Sequence, residues 1–316
     1  MLQPILMPYL TQARAPLTRE IEVVNEHGER DTISIPAERA LTVYVDNREL
    51  VTLMTLGAHP ELLVLGFLRN QRLVRSVEEV HSITVDWDVG AAAVKTRSGI
   101  ERLEERTAKR VVTTGCGQGS VFGGLMDEID TIRLPPAVLT QAQLYGIVNA
   151  IRVQESTYKS AGSVHGCALF GVKDGEPEML IFVEDVGRHN AIDTIAGWMW
   201  LQENDVPTLA AARAALPPEE AHFSGGDPPE NCGPAFDLVF YTTGRLTSEM
   251  VIKSAQMGVS IVVSRSGITQ MGHEVAQRLA LCTIGRATNK HFICYSAPER
   301  LQLQPELAGL NLRAMA

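Results

Sequence analysis

Between His165 and Ser296, short apolar runs take turns with amphipathic stretches, and this alternation constrains the fold more than any other feature of the chain. CALFGV and MLIFVE read as buried strands. Helix AIDTIAGWMWLQ follows, then strand DLVFYTT, helix SEMVIKSAQM, strand VSIVVS, helix TQMGHEVAQRLAL and strand HFICYS. Strands and helices that alternate at this spacing predict a layered α/β domain, in which each helix hides an apolar stripe against the sheet. Gly258 suits the left-handed position that closes a helix, and Met271, Val275 and Leu279 predict the buried stripe of the next one. Residues 203–236, rich in Pro, Ala, Gly and acids, interrupt the pattern and predict a surface insertion.

Upstream the period changes. Residues 20–55 alternate apolar and polar in short runs (IEVV, TISIP, LTVYVDN, ELVTLMTL), as in an antiparallel sheet. Pro60 suits the first position of a helix whose apolar face holds Leu62, Leu63, Leu65 and Phe67. VEEVHSITVDWDVGAAAVKTR has room for two more strands, and after Leu134-Pro135-Pro136 a helix is expected with Leu144, Ile147, Val148 and Ile151 on one side. At 316 residues the chain exceeds what one core of roughly 250–300 residues usually serves. The expected division is a β-rich N-terminal domain over 1–130 and an α/β domain over 131–316.

Composition excludes several classes of function. With 37 acids against 28 Lys and Arg, the formal charge of −9 argues against a sequence-independent grip on nucleic acid. No apolar run reaches the roughly 18 residues of a membrane span, and the N-terminus has no continuous apolar signal segment. The five cysteines, at 116, 167, 232, 282 and 294, form no C-x-x-C pair, so neither a disulfide framework nor a four-cysteine zinc site is expected. Free thiols point to a reducing, cytoplasmic setting.

Four constellations could carry chemistry. In VVTTGCGQGS three glycines uncover the Cys116 sulfur and free backbone N–H groups that could stabilise a thiolate or persulfide; the alternative is an inert cysteine in a Gly-rich turn. Ser120 and Phe122 stand where a dinucleotide loop needs its third glycine, so that fingerprint fails. Glu184-Asp185-Val186-Gly187-Arg188-His189-Asn190 crowds acid, guanidinium, imidazole and amide into a strand-to-helix turn, where open α/β sheets bind ligands; helix capping and a surface ion pair would account for the same residues. His165 enters a strand, with Cys167 where a zinc deaminase would carry its Glu, so no catalytic zinc is expected. Finally, Gly244 and Arg245, and the loop Ile284-Gly285-Arg286-Ala287-Thr288-Asn289-Lys290-His291, each offer glycine beside cations, which suits a phosphate or pyrophosphate.

EDVGRHNAID is very nearly a string of the FdhD family, the sulfur carriers that serve formate dehydrogenase maturation. SAGSVHGCAL resembles the family's TGGxHxAAL, and TTGRLTSEMVIKSAQMGVSIVVSRSGIT resembles SGRxSxELVxKAAxAGIPxLVxxSAPT. With VTLMTLGAHPELLVLGFLRNQRLV, the likeness extends over about residues 20–301. The resemblance implies a cytidine-deaminase-like α/β/α domain without zinc, beside a smaller β-rich domain, in a homodimer. It implies a sulfurtransferase in which a cysteine desulfurase delivers persulfide sulfur to Cys116. The sulfur then passes to a molybdenum cofactor carrying two guanine dinucleotides, before that cofactor enters formate dehydrogenase. The family loop is commonly C-x-x-C, and here its second position is Gly119. Residues 284–291 match the family's cofactor-binding stretch, so a GDP-like fragment is expected to bind there, with Gly244, Arg245, His165, Asp185, Arg188, His189 and Asn190 shaping the pocket. The alternative function is a cofactor chaperone in which Cys116 lines a loop without transferring sulfur. A hydrolase or deaminase would need a metal or a Glu acid/base that the motifs do not supply.

Overall fold

Successive side chains of a strand point to opposite faces of its sheet, so a strand apolar throughout demands cover on both sides. His165–Val172 is such a strand, and the computed structural model buries both of its faces. The structure describes residues 7–100, 129–154, 156–172, 175–202 and 237–307, with the backbone of 111–112 and 119–120.

In chain order, the first half holds β1 (Tyr9–Leu10), β2 (Thr18–Val24), β3 (Arg30–Pro36), β4 (Arg39–Val45), β5 (Arg48–Thr55), α1 (Pro60–Asn70), β6 (Val80–Asp86) and β7 (Ala91–Thr96). Next come β8 (Val111–Val112), β9 (Gly119–Ser120), β10 (Leu139–Thr140), α2 (Gln141–Val153), α3 (Thr157–Ala161), β11 (His165–Val172) and β12 (Glu178–Asp185). The chain continues through α4 (Arg188–Gln202), β13 (Asp237–Thr242), α5 (Ser248–Gln256), β14 (Ile261–Ser264), α6 (Gln270–Arg278), β15 (Cys282–Thr288), β16 (His291–Ser296) and β17 (Leu301–Gln302). Two sheets dominate, a five-stranded one in the order β1-β6-β7-β4-β5 and a six-stranded one in the order β12-β11-β13-β14-β15-β16. In the larger sheet the inner pairs β13–β14 and β14–β15 are parallel, while β12 and β16 run antiparallel to their neighbours at its rims.

Alternation along these strands builds three layers. Cys167, Leu169, Phe240 and Val262 meet Ile192, Ile195, Met250, Val251 and Ala276 of α4, α5 and α6. Ala168, Phe170, Val239, Val263 and Ile284 face the other way and meet Leu144 and Ile147 of α2. Phe170 and Phe240 are 0% exposed, and burying each contributes about 1.5–3 kcal/mol. Local signals fix the helix starts. Pro60 opens α1, Thr140 and Gln143 form a reciprocal cap on α2, and the Thr269 hydroxyl accepts from the Gly272 amide at the head of α6.

Helix α1 packs between the smaller sheet and α4. The two helices touch backbone to backbone at Gly66 and Gly197: a methyl added at Gly66 would stand 1.7 Å from the Asp193 carbonyl oxygen, and one at Gly197 2.1 Å from that of Leu62. Only glycine permits that approach. Arg69 donates to the Ala196 carbonyl (3.0 Å) and lies over the Trp200 ring, so long polar side chains reinforce the crossing.

Three expectations need correction. Ile284–Thr288 is not a loop but most of β15, an inner strand; pairing with β14 as far as Ile284 and with β16 out to Thr288, and burial of Ile284 and Ala287, outweigh its Gly, Arg and Thr. Met271 is 49% exposed rather than buried, so Val275 and Leu279 carry the inner stripe of α6. Helix α4 begins at Arg188, three residues before AIDTIAGWMWLQ, which places Arg188, His189 and Asn190 inside its first turn. The insertion at 203–236 lies outside the described residues. Among the described residues, no helix is long and apolar enough to cross a membrane.

Candidate functional site

The polarity of the six strands brings the proposed binding residues to one edge of the larger sheet. Strands β12, β13, β14 and β15 all end there, and β11 and β16 begin there, as the pairs His165↔Asp185, Cys167↔Thr242, Thr242↔Ser264 and Thr288↔His291 record. At a strand spacing of about 4.8 Å, the edge is about 24 Å wide. It is the edge at which open α/β sheets bind ligands, because strand ends and helix starts leave backbone groups unpaired there.

Hydrogen bonds stitch the loops along it. The Thr243 amide donates to Gly166 O (2.9 Å), the Ser264 hydroxyl to Gly244 O (2.7 Å), the Leu246 amide to Gly267 O (2.9 Å) and the Arg286 amide to Ser266 O (2.7 Å). Gly244 lets Arg188 lie close above it, since a methyl there would stand 2.7 Å from Arg188 Cδ. Arg188 is buried at the head of α4, while Arg245 is exposed. Between them His165 is held below its ordinary pKa, first by burial and then by the Arg188 and Arg245 cations. Arg286 has φ 52° and Asn289 φ 50°, left-handed conformations uncommon outside glycine. The tip of the β15–β16 hairpin is exposed from Thr288 through His291, and the Lys290 carbonyl accepts from Tyr145 Oη of α2 (3.1 Å). The side chains of Ile284 and Ala287 face the interior, so only their backbone can meet a ligand.

Beneath the β12 end lies a closed set of charges. Asp185 accepts from Thr55 Oγ1 and the Leu56 amide with one oxygen, and from the Gly187 amide and Asn190 Nδ2 with the other. Asn190 also donates to Met54 O (2.6 Å). Asp185 and Asn190 therefore clamp the end of β5 to the head of α4. One turn further along, Lys253 Nζ lies 2.9 Å from Asp193 and 3.3 Å from Glu249, while Asn70 donates to the other oxygen of Asp193 (2.7 Å). The second Glu249 oxygen lies 3.4 Å from His189 Nε2. Burial, the largest influence on Lys253, lowers its pKa, yet Asp193 and Glu249 together outweigh it and keep the ammonium charged. Burial takes His189 down to about 4 against the pull of Glu249, so its imidazole is neutral at neutral pH.

Asn70, Lys253 and Thr55 were not among the expected site residues. Their one sequence signal is Glu249 and Lys253, four residues apart on a helix whose Met250, Val251, Ile252 and Ala255 leave no wet stripe. Cys167 is not a reactive thiol: burial pushes it up to about 12, and its S–H donates to Thr242 Oγ1 (3.3 Å). Cys116 lies outside the described residues, within the 113–118 segment between β8 and β9, whose pairs are Val111↔Ser120 and Val112↔Gly119. Among the described residues, no three His, Cys, Asp or Glu side chains come together as metal ligands.

The chain is similar to known proteins. The chain is 27% identical over 296 residues to the sulfur carrier protein FdhD of Bacillus pumilus, which covers 90% of this chain and 98% of that one. It is 27% identical over 286 residues to the protein of the same name from Bacillus subtilis, covering 88% and 94% respectively. A crystal structure of a protein from Desulfotalea psychrophila, described as a formate dehydrogenase accessory protein, superposes with a TM-score of 0.64 at 22% identity, over 90% of this chain and all of the other. The model of the FdhD/NarQ family matches residues 36–214 and 231–302, and on that match the chain belongs to the FdhD/NarQ family.

Proposed function

We propose that this protein is a sulfur carrier for formate dehydrogenase, and that it accepts sulfur on Cys116 and delivers it to a molybdenum cofactor bearing two guanine dinucleotides. In the accepting step the Cys116 thiolate attacks the terminal sulfur of a cysteine desulfurase persulfide, and the desulfurase cysteine leaves as a thiolate. A sulfane sulfur changes hands without net oxidation. In the delivering step that sulfur passes at the sulfide level to the bound cofactor, which is substrate here; two low-molecular-weight thiols supply the two electrons and end as their disulfide, and Cys116 is left as the thiolate. The three-layer α/β part is, in this reading, a cytidine-deaminase-like scaffold used without zinc, in a cytoplasmic homodimer.

The observation that carries the binding half of this reading is the convergence of His165, Arg188, Gly244, Arg245 and Arg286 on one sheet edge, from segments far apart in sequence, with His189 sealed beneath them. Strands β13 and β15 are two places apart, about 10 Å, and a separation of that order between the segments that carry Arg245 and Arg286 suits an extended polyanion. Guanidinium groups suit such a ligand because they bind phosphate oxygens through paired N–H donors. The sulfur half rests on family membership, on the names its relatives carry, and on the exposed chemistry expected of Gly-Cys-Gly.

The test is intact mass and peptide mapping after incubation with a desulfurase and cysteine. Added sulfur at Cys116, lost in Cys116→Ser together with formate dehydrogenase activation, is the expected result. Sulfur confined to Cys167 or Cys282 would reject the assignment. Full activation by Cys116→Ser would favour the chaperone.

A further inference from the structure

Cys282 and Cys294 sit on the neighbouring antiparallel strands β15 and β16, and their sulfurs are 4.0 Å apart. Cys282 is fully buried against the α2 side of the sheet; Cys294, on the rim strand, is half-buried and packs against the same cluster. A disulfide needs its sulfurs about 2 Å apart, so each must move by about 1 Å. The surroundings allow it: β16 has no strand on its outer side, and the pairing register shifts next to the two cysteines, between Thr283 and Ile284. The segment between them, residues 283–293, contains every position of the 284–291 stretch.

We propose that Cys282 and Cys294 form a reversible disulfide that locks the hairpin carrying Gly285, Arg286, Lys290 and His291. The two thiols divide the work. The two sulfurs share a hydrogen bond in which either can donate; Cys294 is the more exposed of the two, and this bond lowers its pKa while the same bond and burial raise Cys282, which favours Cys294 as the attacking thiolate. With a low-molecular-weight disulfide such as oxidised glutathione, Cys294 attacks one of its sulfurs and a glutathione thiolate leaves. The Cys282 thiol then loses its proton and attacks Cys294 Sγ, expelling the second glutathione. The protein loses two protons and two electrons, and one oxidised glutathione becomes two reduced ones. Nothing in this step involves Cys116, so it stands or falls apart from the sulfur-carrier reading.

The experiment uses the full chain carrying Cys116→Ser. In the reduced protein, iodoacetamide should label Cys294 at least ten times faster than Cys282. After treatment with oxidised glutathione, mapping should find the two peptides joined at Cys282–Cys294, and a reductant should separate them. The Cys282→Ser variant should stop at a glutathione adduct on Cys294, and Cys294→Ser should show neither product. Amide hydrogen exchange across 284–291 should slow several-fold on oxidation and recover on reduction. A glutathione adduct that persists on Cys294 with Cys282 present, or pairing of Cys294 with Cys232, would overturn the proposal, as would a joined pair that leaves hairpin exchange unchanged.

Discussion

At the β12 end of the sheet edge, Asp185, Asp193, Glu249, Lys253 and His189 are sealed beneath the helices, whereas at the β15–β16 end Arg286, Lys290 and His291 stand in water on a rim hairpin. Both ends hold charged side chains, and they hold them by different physics. At the first, Lys253 is paired with Asp193 and Glu249 while Asp185 is held by four hydrogen-bond donors, so geometry is set by desolvated contacts that cannot separate without large cost. At the second, the backbone bond from Arg286 to Ser266 and the close fit of Gly285 against Tyr295 set the loop, while the cationic heads remain solvated. Substitutions at the first end should therefore read out as stability and those at the second as binding.

The largest expected effect is that of Asp193→Ala, which leaves Lys253 buried beside Glu249 alone. We expect it to cost about 3–5 kcal/mol in urea denaturation, and Asp193→Ala with Lys253→Met to regain much of that. A single-mutant cost below about 1 kcal/mol would mean the cluster is open to water. Next in size is an effect of acid. The pKa of His189 in the folded state, about 4, lies below its ordinary 6.5, so the unfolded chain takes up the proton first as pH falls. Its contribution is intact above pH 6.5 and is lost progressively toward pH 4, by about 3 kcal/mol. Asp185 and Asp193, both raised by burial, act in the opposite sense as the pH falls. The measurement is thus the difference between wild type and His189→Gln in melting temperature against pH, and equal slopes would remove the imidazole from the account. The smallest change in stability is expected for Arg286→Ala, within about 0.5 kcal/mol. The same substitution should weaken GDP binding at least ten-fold in a titration. An unfolded Arg286→Ala, or unchanged GDP affinity, would erase the contrast between the two ends.

Much of the scaffold was legible residue by residue. Pro60 at the start of α1, the Leu144 and Ile147 face of α2 and the positive φ of Gly258 (73°) are local signals that the fold leaves unaltered. Strand β15 was not legible, because its neighbours on both sides, rather than its own Gly, Arg and Thr, make it a strand. The exposure of Met271 likewise depends on which side of α6 meets the sheet. At the site, the basic and glycine-rich motifs could be recognised separately, but their assembly along one edge depends on strand order. Asn70 and Thr55 carried no signal, since each acts on a partner more than 120 positions away.

The amino-acid sequence alone determined the alternation of strands and helices, the family and the cysteine at 116, because periodicity, turn chemistry and motif spacing are local properties. Only the tertiary structure decided which charges are sealed together, which cations share an edge and which two thiols touch. Those depend on distances between segments remote along the chain, and in a low-dielectric interior a few ångströms separate a compensated charge from an untenable one.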